Sequence, residues 1–121
     1  MSTHPAQTDF TSLRDMIRQF VDERDWDQFH SPKNLSMALS VEAAELLEHF
    51  QWLTADESTR LDARSRRAIA DEIADVLLYL TRLADVLEID PLAAARRKMR
   101  ENARKYPVTR AKGNARKYSE L

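Results

Sequence analysis

The sequence has 121 residues, 43% hydrophobic and 32% charged, with a formal net charge of −1, which predicts one domain with an apolar core and a charged surface. A single glycine argues against a β-rich fold with many tight turns, a Rossmann loop or a P-loop. The lack of cysteine excludes disulfides, zinc ribbons and thiol catalysis.

Four helices are predicted from their start and stop signals. Residues 1–8 precede the first of these signals and are predicted to be disordered. A polar capping residue stands before each helix-periodic segment, and in two cases a proline follows the cap. The predicted helices run from Asp9 to about Arg24, from Ser31-Pro32 to about Phe50, from Asp62 to about Glu88, and from Asp90-Pro91 to the residue before Pro107.

The predicted fold class is all-α, with a four-helix domain over residues 9–107 and an extended basic tail over residues 108–121. The third helix is apolar around most of its circumference across VLLYL, which indicates burial on several sides. Four short helices would bury more apolar surface if chains paired, so we expect an oligomeric helix bundle. No apolar run is long enough to span a membrane, and the N-terminus lacks a signal-peptide pattern, so we expect a cytoplasmic protein.

Two pairs of carboxylates lie on the predicted second and third helices: Glu42 and Glu45, and Glu72 and Asp75. Residues three apart share a helix face. Most such pairs are solvated surface charges, but Glu42 lies within the apolar stripe of its helix, where an unpaired carboxylate is costly to bury. If the two helices run antiparallel, the four side chains converge and offer the oxygen ligands that Mg²⁺ prefers.

Basic residues concentrate at the C-terminal end. Residues 92–121 contain 10 of the 19 Lys and Arg but only two of the 20 Asp and Glu. A solvated basic face is the simplest interpretation, and binding of phosphate groups or nucleic acid are the functional ones.

Large aromatic side chains flank the second helix. Trp26 and Phe29 lie in the polar connector ERDWDQFHSPKNL, and Trp52 follows the helix. We expect Phe29 to plug the end of the helical core, whereas Trp26 can do the same or form a platform for a nucleobase. An acidic metal cluster, aromatic platforms and a basic helix together favour a nucleoside triphosphate, with a carboxylate that orients or deprotonates water.

The segments EAAELLEHFQW, DEIADVLLYL and KMRENARKYP occur in this order, and with them the chain resembles the MazG-like, all-α nucleoside triphosphate pyrophosphohydrolases. The connector ERDWDQFHSPKNL and the tail ARKYSEL most resemble the dCTP pyrophosphatase branch, and the resemblance runs from about Phe10 to Leu121. It implies Mg²⁺-dependent cleavage of dCTP, or modified dCTP, to dCMP and pyrophosphate as a house-cleaning step. It also implies a homotetramer with pockets built by more than one subunit, and neither membrane nor nucleic acid as a partner.

The same resemblance implies roles for individual residues. The matched Mg²⁺ ligands are Glu42, Glu45, Glu72 and Asp75, and Glu42 or Glu45 would also position or activate the water. The matched substrate-binding residues are Trp26 and Trp52 around the base and sugar, Tyr79 beside the deoxyribose, and Lys98, Asn102, Lys105 and Tyr106 on the phosphate side.

One position departs from the branch. Ile17 stands where animal members have a histidine in the base pocket, and isoleucine cannot hydrogen-bond a base. Cytosine remains the first expectation, with 5-substituted cytosines or a broader range of deoxynucleotides as alternatives. His30 is expected to end the connector rather than replace that histidine, and His49 to make a local hydrogen bond or to support the site.

Two other functions are compatible with the sequence. One is a non-catalytic helical module whose basic end binds nucleic acid or a protein partner, with the acidic cluster as a structural metal site or a hydrogen-bonded network. The other is the same chemistry on dUTP or damaged deoxynucleotides.

Overall fold

A computed structural model describes residues 9–121, which form two compact units, one that ends at Glu88 and a second unit, Ile89–Leu121. Within residues 9–121 every regular element is a helix or a helical turn, which confirms the all-α fold class. The disorder predicted for residues 1–8 lies outside the described residues. The single domain over residues 9–107 stays a prediction.

The first unit contains three long helices: α1 (Phe10–Glu23), α2 (Pro32–Glu48) and α3 (Ala63–Val86). Each begins where the sequence predicts, because the side chain of the capping residue accepts a hydrogen bond from a backbone amide in the first turn. The second and third helices end two residues before their predicted ends. The capping bonds join Asp9 to the Ser12 amide (2.8 Å), Ser31 to the Asn34 amide (3.1 Å) and Asp62 to the Ser65 amide (2.8 Å).

Helices α2 and α3 form the main helix pair and run antiparallel. His30, just before α2, accepts a hydrogen bond from Arg82 near the end of α3. His49, just after α2, lies beside Glu72 in the first half of α3. Opposite ends of the two helices therefore meet, and the acidic pair of α2 faces that of α3.

The core of the first unit is small. Its buried apolar side chains are Val21 from α1, Leu35 from α2, and Ile69 and Ala84 from α3. The segment VLLYL predicts that α3 is buried on several sides. Within residues 9–121 it is not, since several large apolar side chains of α3 are exposed. These are Ile73, Leu77, Leu78, Leu80 and Leu87. No helix within residues 9–121 is long and apolar enough to cross a membrane.

An ion-pair network ties α1, α3 and the connector together around Arg82, which is buried and therefore needs partners for its charge. Its guanidinium donates to Nδ1 of His30 at 3.0 Å and to Oδ1 of Asp27 at 2.7 Å. Asp85, whose side chain is 11% exposed, lies 3.7 Å from the same guanidinium and accepts hydrogen bonds from Arg18 at 2.5 and 2.7 Å. These bonds lower the pKa of Asp85, the hydrogen bond from Arg18 being the largest cause.

We expect Asp85→Ala to lower the free energy of unfolding by about 2–3 kcal/mol, because it removes charge-assisted hydrogen bonds and one counter-charge of buried Arg82. Asp15→Ala is the matched control, since Asp15 is exposed and its ion pairs are with Arg14 and Arg18 of its own helix. This substitution should change the free energy of unfolding by less than about 0.5 kcal/mol. Urea unfolding followed by circular dichroism measures both. Equal effects of the two substitutions would contradict a structural role for Asp85.

The second unit contains α4 (Pro91–Lys105), the one-turn helix α5 (Val108–Ala111) and a 3₁₀ turn, Tyr118–Glu120. Helix α4 begins as predicted, with Asp90 accepting hydrogen bonds from two amides of the first turn and Pro91 directly after it.

The extended tail predicted for residues 108–121 is wrong in two places. Helix α5 forms because the carbonyl of Pro107 accepts hydrogen bonds from the amides of Arg110 and Ala111. The 3₁₀ turn brings Tyr118 edge-to-face against Tyr106, with 6.1 Å between the ring centroids. Packing between the two aromatic rings therefore holds a segment whose polar composition predicts an extended conformation.

Candidate metal and nucleotide site

Three carboxylates converge between α2 and α3. Glu42 and Glu45 lie about one turn apart on α2, and Glu72 lies opposite them on α3. One oxygen from each side chain lies within 4.8 Å of the other two. Carboxylates this close can share one divalent cation, so the structure brings together three of the four predicted ligands.

The cluster carries more negative charge than its surroundings neutralise. Oε2 of Glu42 and Oε2 of Glu72 are buried and have no hydrogen-bond partner among residues 9–121. Burial, followed by the neighbouring carboxylates, raises the pKa of Glu42 from 4.5 to about 7. Burial and the charges of Glu45 and Asp75 also raise the pKa of Glu72. A bound cation would coordinate the oxygens that lack hydrogen-bond partners and would offset the repulsion between the carboxylates. The set of carboxylate oxygens therefore fits a divalent metal.

We expect the metal-free protein to lose stability as the pH rises from 4.5 to about 7. In this window the folded protein still holds a proton on Glu42 that the unfolded chain has released, so the free energy of unfolding falls with rising pH. Thermal unfolding midpoints in the presence of chelator test this. Glu42→Gln should flatten the dependence, and an unchanged slope in that variant would contradict the cause given for it.

A cavity of about 320 Å³ opens between α1 and α3, next to the connector. This volume is at the lower end of the range found for small-molecule binding sites, and the cavity lining is mostly apolar, as it is in such sites. Asp75 connects the cavity to the carboxylate cluster, because its side chain lines the cavity and its charge raises the pKa values of Glu42 and Glu72. The lining residues with polar groups are Trp26, His30, Asp75, Tyr79 and Arg82, and the purely apolar ones include Leu13, Met16, Ile17, Phe20 and Leu78.

Trp26, Tyr79 and Ile17, all assigned to the base and sugar region, line this one cavity. Trp26 is 44% exposed and packs edge-to-face against Phe20, with 5.6 Å between ring centroids. Phe29 does not plug the core as predicted, since it is 60% exposed. Residues 27–29 form a 3₁₀ turn, and the side-chain amide of Asn34 donates a hydrogen bond to the backbone carbonyl of Phe29, while the Phe29 ring stays exposed.

Trp52 lies apart from the cavity lining. It follows α2 and is 87% exposed. The described chain therefore brings Trp26 and Tyr79 together without Trp52, whose role stays a prediction.

The histidines and Arg82 refine the predicted site. His49 lies with Nε2 4.0 Å from Oε1 of Glu72, beside the carboxylate cluster. His30 does more than end the connector, because its ring accepts the hydrogen bond from Arg82 in the cavity wall. Sequence reasoning missed Arg82; a single arginine inside the apolar run VLLYLTRL was the available signal.

The four residues that are predicted to bind phosphate all lie in the second unit, on or directly after α4. Lys98 and Asn102 lie four residues apart on α4 and so share one helix face, and Tyr106 directly follows the helix. Lys98 is exposed, with Nζ 3.6 Å from a Glu101 carboxylate oxygen. Lys105 places Nζ 4.9 Å from the centroid of the Tyr118 ring.

Comparison with known proteins identifies the family. Residues 37–121 match the MazG-like family. The chain belongs to the MazG-like family. The matched segment includes all four predicted metal ligands and the phosphate-side residues of α4, and it leaves out α1 and the connector.

The MazG-like chain is similar to named pyrophosphatases. It is 43% identical to dCTP pyrophosphatase 1 of Homo sapiens, over 90% of this chain and 65% of that protein. It is 40% identical to dCTP pyrophosphatase 1 of Bos taurus, over 99% of this chain and 70% of that protein. The chain thus spans just under two thirds of the human relative's length.

A crystal structure of a pyrophosphatase from Archaeoglobus fulgidus superimposes with a TM-score of 0.77 at 45% identity, covering 88% of this chain and 96% of that one. Over most of its length the chain is thus similar to proteins that are named as pyrophosphatases.

Proposed function

We propose that this protein is a nucleoside triphosphate pyrophosphohydrolase that cleaves dCTP, or a modified dCTP, to dCMP and pyrophosphate. The observation that carries this is Asp75, which lines a cavity suited to a base and whose charge acts on the neighbouring carboxylate cluster, a cluster suited to a cation. Similarity to proteins named dCTP pyrophosphatase 1 supports the choice of substrate. Removal of excess or modified cytosine nucleotides is the cellular role that fits this chemistry.

Glu42, Glu45, Glu72 and Asp75 would hold Mg²⁺. When bound, Mg²⁺ neutralises phosphate charge and stabilises the charge that develops on the attacked phosphate. Oxygen-only ligands and a surplus of negative charge favour this ion over the metals that prefer nitrogen or sulfur. His49, beside Glu72, supports the cluster without belonging to the carboxylate set.

One of the two α2 glutamates takes the proton of the attacking water. Glu42 is the one that we favour for this role, because its Oε2 is buried in the carboxylate cluster and has no hydrogen-bond partner among residues 9–121. Trp26 and Tyr79 hold the base and deoxyribose in the cavity, and Trp52, although it lies outside the lining of this cavity in the described chain, is assigned to the same base and sugar region by the family resemblance. Lys98, Asn102, Lys105 and Tyr106 bind the phosphate groups of the nucleotide.

The protein acts as a homo-oligomer, for which we propose a tetramer. The apolar side chains that α3 leaves exposed, among them Ile73 at 52% and Leu80 at 42%, are the surface that a second chain would cover. Sedimentation of the purified protein tests this; a monomer at micromolar concentration would contradict it.

Turnover of a nucleotide panel in Mg²⁺ tests the function. We expect dCTP and 5-methyl-dCTP to give the highest kcat/KM, because the apolar wall at Ile17 accommodates a methyl group. A preference for dUTP or for oxidised purine nucleotides would support the proposed reaction but contradict dCTP as the substrate. Salt-dependent oligonucleotide binding without turnover of any nucleotide would overturn the function in favour of the binding module.

A further inference from the structure

His49 lies on the same side of α2 as the two glutamates of the carboxylate cluster. It directly follows the helix, and its backbone angles stay helical (φ −69°, ψ −17°). Glu42 stands seven residues before it and Glu45 four residues before it, and residues at these intervals share one helix face. The imidazole therefore continues the line of carboxylates by one further turn.

The imidazole of His49 is also close to the α3 side of the cluster. Its Nε2 lies 4.0 Å from Oε1 of Glu72, which is too far for a hydrogen bond. The other oxygen of that carboxylate, Oε2, is buried and has no hydrogen-bond partner among residues 9–121. A cation that binds here would therefore not have to break a hydrogen bond between His49 and Glu72.

The distance between Nε2 of His49 and Oε1 of Glu72 suits two ligands of one cation. Two atoms that each lie about 2.2 Å from one ion are at most about 4.4 Å apart. The observed 4.0 Å satisfies this limit. The His49 side chain is 31% exposed and follows the end of the helix, so the ring has room to turn toward an ion that the carboxylates hold.

An imidazole changes which cations a carboxylate cluster binds well. Mg²⁺ takes oxygen ligands and gains little from a nitrogen. Sets of glutamates and histidines on packed helices hold manganese and iron, and a transition-metal ion such as Mn²⁺ accepts nitrogen and oxygen ligands together. A histidine on the carboxylate face therefore adds affinity for Mn²⁺ that Mg²⁺ does not share.

We propose that His49 binds a transition-metal cation through Nε2, so that the site takes Mn²⁺ with a nitrogen ligand and Mg²⁺ with oxygen ligands alone. Glu42, Glu45 and Glu72 hold either ion, and His49 extends the ligand set for Mn²⁺. The inference rests on the proposed function, because it concerns the same metal site.

Electron spin-echo spectroscopy of bound Mn²⁺ tests the proposal without turnover. Protein labelled with ¹⁵N at histidine is loaded with less than one equivalent of Mn²⁺ at a pH above 7, where an ordinary imidazole is neutral. We expect the ¹⁵N coupling of a coordinated imidazole in the wild type and none in His49→Leu. His30→Gln is the matched control and should keep the coupling, since His30 lies in the cavity wall against Arg82.

Isothermal titration gives the matching affinities. We expect His49→Leu to weaken Mn²⁺ binding at least about 10-fold and to change Mg²⁺ binding by less than about 3-fold. Glu72→Gln removes a carboxylate that serves both ions and should weaken the binding of both. His49→Gln serves the same purpose as His49→Leu if leucine at this position prevents folding.

No ¹⁵N coupling in the wild type, or a coupling that remains in His49→Leu, would overturn the role of His49. A coupling that survives Glu72→Gln with unchanged Mn²⁺ affinity would place the ion on an imidazole away from the cluster and would overturn it as well. These readouts need no substrate, so they are separate from the proposed function. That function fails if the wild-type protein releases no pyrophosphate from dCTP in Mg²⁺.

Discussion

Glu42→Gln is expected to lower kcat for dCTP by about 10²- to 10⁴-fold, the range for loss of a general base, while helix content is retained. Glu42 has a buried oxygen without a hydrogen-bond partner among residues 9–121, and burial together with the neighbouring carboxylates raises its pKa to about 7. Glutamine keeps the shape of the side chain but can neither take up a proton at this pH nor supply a negative charge to the metal.

Glu42→Gln should also change the thermal stability of the metal-free protein. Because glutamine removes a buried charge that the other carboxylates repel, Glu42→Gln should unfold at a higher temperature than the wild type above pH 7 in chelator. Glu48→Gln, on the exposed face of the same helix, is the matched control and should change neither property. Retained activity in Glu42→Gln would remove Glu42 from the site.

Trp52→Ala is expected to raise KM for dCTP by about 5- to 100-fold, the loss associated with one base stacked on one aromatic ring. Affinity for Mg²⁺ should not change, since Trp52 contributes no metal ligand. The free energy of unfolding of the chain should also change little, because the side chain is 87% exposed.

Phe29→Ala controls for the loss of an exposed aromatic residue, since Phe29 is 60% exposed and lies outside the cavity lining. Isothermal titration with Mg²⁺ and steady-state kinetics with dCTP separate the two affinities. Equal losses of metal and nucleotide affinity in Trp52→Ala would identify a structural tryptophan instead.

Local signals predicted the long helices well. Capping residues such as Asp9, Ser31 and Asp62 act within three residues of the helix start, so their bonds can be predicted without tertiary structure. The position of Glu42 within an apolar stripe likewise predicted the inward-facing carboxylate, because helix periodicity fixes which residues share a face.

Contacts distant in sequence could not be predicted in this way. Arg82 meets His30 and Asp27 across 52 and 55 residues, and no local pattern reports such a pairing. The turn at Tyr118 depends on packing against Tyr106, which composition does not encode. The exposure of the Phe29 ring likewise accompanies a specific contact, the hydrogen bond from the Asn34 side chain to the 3₁₀ turn at residues 27–29. The cavity wall therefore needed the structure, whereas the carboxylate cluster did not.

The products of dCTP in the presence of Mg²⁺, resolved by mass spectrometry after reaction in ¹⁸O-labelled water, test the central claim most directly. Cleavage between the α and β phosphates predicts dCMP and pyrophosphate in equal amounts, with one ¹⁸O in the pair, and no products when Mg²⁺ is chelated. Formation of dCDP and labelled orthophosphate, or intact dCTP in the presence of folded protein and Mg²⁺, would contradict it.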